Sequence, residues 1–90
     1  MALALLTTTA FEKDLRRVEK QGKNLDRLEE VVNLLQRQHP LPPRYRPHAL
    51  RGNWPGHWDC HVKPDWVLLY KVTETELILA RTGSHAELFE

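Results

Sequence analysis

Apolar residues follow two rhythms along the 90 residues of the chain. Phe11, Leu15 and Val18, then Leu25, Leu28, Val31, Val32 and Leu35, recur at intervals that place them on one face of a helix. Further on, Trp58, Cys60 and Val62 alternate with His57, Asp59 and His61, the period of a strand buried on one side. Residues 66–72 are nearly all apolar, which predicts a central strand. The punctuation agrees. Residues 2–8 are apolar and end in threonines, a first strand. Thr9 and Glu12 have capping-box spacing and open a helix, and Gly22 closes it as a left-handed cap. Asn24 caps a second helix, which Pro40, Pro42 and Pro43 stop. Further strands are expected near 48–51, 57–62 and 76–82, with turns at 53–56, 63–65 and 73–75. Gly83 ends the last strand, and 84–89 form a short helical or irregular tail. The predicted class is α+β: an N-terminal strand, two helices, then an antiparallel meander of three to four strands with the helices packed on one face. Residues 1–90 are read as a single domain.

Composition narrows the possibilities. No run approaches the ~20 apolar residues of a membrane span. The apolar start lacks the basic flank of a signal peptide. A single cysteine, Cys60, makes no internal disulfide, so a reducing, cytoplasmic setting is expected. Thirteen basic and 12 acidic residues give a net charge of +1. The basic residues are uneven, however: Arg44, Arg46 and Arg51 stand between His39 and Arg51 with no acid among them. With Lys63 they are candidate phosphate contacts.

Turn positions predict where side chains meet. A turn centred on Trp54-Pro55 puts His48 opposite His61. One at Pro64 puts His61 beside Trp66 or Val67. One at Glu74-Thr75 puts Arg81 opposite Leu68 and Gly83 opposite Trp66. His48, His61, Trp66 and Gly83 then share one row, with His85 just beyond. His61 and the segment from Arg81 to His85 are expected ~10 Å apart, across the central strand. Histidines that titrate near neutrality, beside an arginine, suit proton transfer at a phosphodiester. Phe89, an aromatic on a polar tail, is a platform for a base. Trp66 is read mainly as core, with a second role as an RNA contact. Asp65 suits both a turn and catalysis. His39 and His57 are read as surface or hydrogen-bonded residues. A metal site of His57, Cys60 and His61 fails on strand geometry: the imidazoles are ~13 Å apart and the thiol faces away. No cofactor or metal is expected.

Three stretches carry a family likeness. They are His48-Ala49-Leu50-Arg51-Gly52-Asn53-Trp54, His61-Val62-Lys63-Pro64-Asp65-Trp66-Val67-Leu68-Leu69-Tyr70-Lys71, and Arg81-Thr82-Gly83-Ser84-His85-Ala86-Glu87-Leu88-Phe89. In these the chain resembles the YafQ branch of the RelE-like toxins of bacterial toxin–antitoxin systems, with Ala49 standing where a proline is expected. The resemblance implies a small α+β endoribonuclease that cuts mRNA in the ribosomal A site and is neutralised by a cognate antitoxin. It carries catalysis to His48, His61, Asp65, Arg81, His85 and Phe89. The expected reaction is metal-independent. The RNA 2′-hydroxyl attacks, His85 protonates the leaving oxygen, His48 or His61, with or without Asp65, serves as base, and Arg81 neutralises the phosphate. The alternatives are a toxin-like module that binds antitoxin or RNA without cutting, and an unrelated small α+β domain that pairs with a partner.

Overall fold

The computed structural model describes residues 2–50, 52 and 54–89. The chain forms β1 (Ala4–Thr7), α1 (Thr9–Lys20), α2 (Leu25–Gln36), a 3-10 turn (Pro43–Tyr45), β2 (His48–Ala49), β3 (Trp58–Lys63), β4 (Trp66–Val72), β5 (Glu76–Gly83) and α3 (His85–Phe89). Local chemistry accounts for the helix ends. Thr8, one residue before the expected cap, accepts the Phe11 amide at 3.0 Å and starts α1. Gly22 follows α1 at φ +79°, where a side chain is strained. Asn24 caps α2 through the Asp26 amide at 3.0 Å. The apolar stripes of both helices (Phe11, Val18, Leu28, Val31, Leu35) pack on one sheet face against Cys60, Val62, Leu68, Tyr70, Leu77 and Leu79.

The five strands lie in the order β1-β5-β4-β3-β2. β1 runs parallel to β5, from Ala4 opposite Glu76 to Thr7 opposite Leu79. The meander of β2 to β5 is antiparallel, so the sheet is mixed. Two expected registers are corrected. The connection after β2 turns one residue early, so His48 faces Asp59 and not His61. Between β4 and β5 the expected pairing holds at Val72–Leu77 and Tyr70–Leu79, then β5 takes in one extra residue, Ala80. Beyond that bulge Arg81 faces Leu69 and Gly83 faces Val67. A slip of one residue exchanges the two sheet faces. Without the bulge Arg81 would pair with Leu68 and point into the core. With it, Arg81 and Gly83 share the face of Asp59 and His61, while Thr82 turns inward.

Past Leu79, β5 has no strand on its outer side, and side chains near the start of α1 take that place. Thr8 Oγ1 donates to the Ala80 carbonyl at 2.8 Å. Asp14 accepts from the Thr82 amide at 3.2 Å, and Arg17 Nη2 donates to the Thr82 carbonyl at 3.2 Å. The buried backbone of this edge is thereby satisfied without a sixth strand.

Candidate active site

The sheet face away from the long helices carries two adjoining rows. One runs His48–Asp59–Leu69–Arg81, the other His61–Val67–Gly83. After Gly83 the chain turns into α3, which brings His85 back over the second row. The His61 and His85 rings stack with centroids 5.7 Å apart, and Phe89 continues the column 5.2 Å from His85. The imidazoles are closer than two strand spacings although Val67, fully buried, stands between His61 and Gly83 in the row. Phe89 is 39% exposed at the end of the column.

The structure adds a member that the expected site lacked. Asp59 is buried, and His48 Nε2 lies 3.0 Å from its Oδ1. Burial pushes the Asp59 carboxyl up from its ordinary range, and the nearby imidazoles of His48, His61 and His85 oppose that shift. One imidazole, that of His48, thus contacts the buried carboxylate, and those of His61 and His85 act on it from further off. The alternation of β3 had placed Asp59 on the face of His61, but its pairing with His48 depended on the register. The other ring nitrogens are held by the backbone: His48 Nδ1 is 3.1 Å from the Arg46 carbonyl and His61 Nδ1 is 3.2 Å from that of Pro64.

Arg81 joins this face but is already engaged. Its Nε and Nη2 grip the two Asp14 carboxylate oxygens at 2.5 and 3.1 Å. That bond is the main reason its guanidinium is held in the charged form. The Nη1 hydrogens and the second Nη2 hydrogen stay available. Asp14 also pairs with Arg17 at 3.1 Å, and Arg17 with Glu87 of α3 at 3.0 Å. The Ser84 amide donates to Glu87 at 2.8 Å, and Gln21 holds it from α1 at 3.1 Å. These bonds anchor α3, and with it His85 and Phe89.

Other expected residues lie elsewhere. Trp66, read mainly as core, is 2% exposed, and its indole donates to Thr82 Oγ1 at 2.9 Å. Asp65 is exposed on the β3–β4 turn and lines a shallow depression with Lys23, Asn24, Lys63 and Trp66. Arg44, Arg46 and Lys63 do converge. Together with Arg27, which the sequence did not single out, they line an open groove of about 550 Å³ that reaches His61. Arg44 is braced there by Tyr45 Oη at 3.0 Å and Glu30 at 3.4 Å. Arg51 lies outside the described residues. His57, Cys60 and His61 do not converge. His57 Nδ1 contacts the Pro55 carbonyl, and Cys60 is buried in the core, where burial pushes its thiol up to about 12. Among the described residues no three His, Cys, Asp or Glu side chains are grouped to hold a metal ion. No described helix is long and apolar enough to cross a membrane.

Comparison with known proteins bears on this arrangement. Residues 3–90 match the model of the family described as bacterial toxin of type II toxin–antitoxin system, YafQ. The chain is 42% identical over 80 residues to the mRNA interferase toxin YafQ of Escherichia coli K12, covering 88% of this chain and 87% of that protein. The crystal structure of the E. coli DinJ–YafQ toxin–antitoxin complex contains a chain that superposes with a TM-score of 0.92 at 37% identity, covering 100% of both. A metal-bound toxin from Helicobacter pylori superposes with a TM-score of 0.91 at 42% identity, covering 97% of this chain and 99% of that one.

Proposed function

Because this chain belongs to the YafQ family of bacterial type II toxins, we propose that it is an endoribonuclease that cleaves mRNA in the ribosomal A site. The observation that carries the reading is the stacked His61–His85 pair beside His48 and Asp59, on one face and open to solvent. RNA supplies its own nucleophile. A base on this face, His48 or His61 with Asp65 on the adjoining turn, takes the 2′-proton. The 2′-oxygen then bonds to phosphorus, and His85 donates a proton to the departing 5′-oxygen. The products are a 2′,3′-cyclic phosphate, or its opened form, and a 5′-hydroxyl. The free Nη hydrogens of Arg81 point to the charge that grows on the phosphate. Phe89 stacks against a base, and the groove of Arg27, Arg44, Arg46 and Lys63 leads the strand past His61. No metal takes part in these steps. The protein acts in the cytoplasm, and a cognate antitoxin partners and silences it, as DinJ accompanies YafQ in the E. coli complex.

The test is to map cleavage ends on a translated mRNA. The parent protein is expected to leave cyclic phosphate and 5′-hydroxyl ends with and without EDTA. His85→Gln, folded, should be slower by ~10²–10⁴-fold. Cleavage lost on chelation and restored by zinc would overturn the metal-free chemistry. Binding to translating ribosomes without cleavage would favour a non-catalytic module.

A further inference from the structure

We propose that Asp59 is a positioning residue that keeps His48 as an imidazolium, with a proton fixed between His48 Nε2 and Asp59 Oδ1. His48 then presents a standing positive charge to the scissile phosphate, and His61 is the base. This deepens the ribonuclease reading and rests on it.

The argument starts from hydrogen-bond valence. A carbonyl oxygen only accepts, so the 3.1 Å contact between His48 Nδ1 and the Arg46 carbonyl puts a hydrogen on Nδ1. In a neutral ring Nε2 would then hold a lone pair. That lone pair would face Asp59 Oδ1 at 3.0 Å, oxygen against nitrogen with nothing between. Oδ1 is buried and makes no other hydrogen bond among the described residues. Leaving such an oxygen opposite a lone pair is costly, and a single proton removes the conflict. The proton belongs on the ring: imidazole is ordinarily the stronger base, and the three imidazoles oppose the burial that raises the Asp59 carboxyl. The His48 ring is also 56% exposed, so water solvates its charge, while the carboxylate is enclosed.

The same valence rule gives His61 the opposite role. Its Nδ1 lies 3.2 Å from the Pro64 carbonyl and so carries the hydrogen. No carboxylate faces its Nε2 at ion-pair distance among the described residues, so that atom keeps a lone pair that can take the 2′-proton. The groups facing Asp59 are His48 from β2, His61 from its own strand and His85 from α3. Cys60 and Tyr70 sense its charge from the core side, where burial keeps both protonated. Arg81, at the far end of the row, is paired with Asp14.

The experiment is ring-nitrogen NMR of the histidines in the RNA-free protein, parent and Asp59→Asn, from about pH 5 to pH 9. In the parent, His48 is expected to carry hydrogen on both nitrogens at about pH 7.5, bonded to the Arg46 carbonyl and to Asp59 Oδ1. His61 is expected as the neutral Nδ1–H tautomer at that pH. In Asp59→Asn the Nε2 hydrogen of His48 should be lost at that pH, and the alkaline limit of cleavage should move down with it. A parent His48 that is neutral at about pH 7.5, with or without the proton resting on Asp59, overturns the proposal. So does a His48 that keeps both hydrogens in Asp59→Asn. The parent spectrum alone decides the matter if the variant does not fold. Because the spectra contain no RNA, they separate failure of this pairing from failure of the ribonuclease reading.

Discussion

Arg81 shows how far a single residue can be read from its text. Its segment was legible as lying near the histidines, but the face it takes depended on the Ala80 bulge, and the direction of its donors on Asp14, 67 positions away in the chain. The Asp14 carboxylate takes the side-on fork and fixes which hydrogens remain for a ligand. Asp14→Asn accepts less well at every one of these bonds and loosens the guanidinium. Expected are a stability loss of about 1–3 kcal/mol and a larger fall in kcat than in substrate affinity, read from urea unfolding and single-turnover cleavage. Asp59 gives the contrary case. Its folded-state pKa lies above the ordinary value near 3.8, so its ionised form is disfavoured by folding and destabilises the protein as pH rises past that value. Asp59→Asn is therefore expected to be more stable than the parent at neutral pH, with the advantage shrinking as pH falls towards that ordinary value. Denaturation midpoints across pH test this; a variant less stable at neutral pH would contradict it. The buried acid was visible in the alternation of β3, but nothing local marked its partner.

Elements whose signals are local were read closely: the α2 cap at Asn24, the end of α1 at Gly22, and β4 as residues 66–72. What escaped was the Ala80 bulge and the early turn before β3, because an inserted strand residue and a shifted loop leave no periodic trace of their own. The parallel partnership of β1 was equally hidden, since it depends on the whole sheet. The position of α3 hangs on two features next to it. Gly83 sits at φ +152°, and a Cβ there would come within 2.7 Å of Arg17 Nη2 and 2.9 Å of Glu87 Oε1. Gly83→Ala is expected to cost about 1–3 kcal/mol and to break the Arg17–Glu87 bridge, displacing His85. Cleavage should fall further than the lost stability explains, and the His61–His85 ring contact should vanish from NMR spectra. Glu87 has its pKa lowered, first by the Ser84 amide, and by Gln21 and Arg17. A depressed carboxylate stabilises the fold above its ordinary value near 4.5, and that contribution is lost as pH falls through the lower folded value. Protection of the α3 amides, measured against their intrinsic exchange rates, should therefore drop on acidification below about pH 4.5, and Glu87→Gln should flatten that response.

At the scale of the molecule, a net charge of +1 hides a strongly local field. Arg27, Arg44, Arg46 and Lys63 gather on one groove, while Asp26, Glu29 and Glu30 lie along the outer surface of α2. RNA affinity should accordingly fall with salt although the protein is nearly neutral. Arg46→Ala is expected to reduce the slope of log affinity against log salt by about 0.7, the single-strand value for one phosphate, with little change in sequence preference. Titrations of a short single-stranded RNA at several salt concentrations measure this. The parallel seam between β1 and β5 has one more consequence. It joins Ala4 to Glu76, so the sheet stays open until nearly all of these residues have been made. A copy abandoned by its ribosome before β5 has neither a closed edge nor the imidazole of His85. Under the proposed mechanism such a fragment cannot cut, so injury is confined to finished copies.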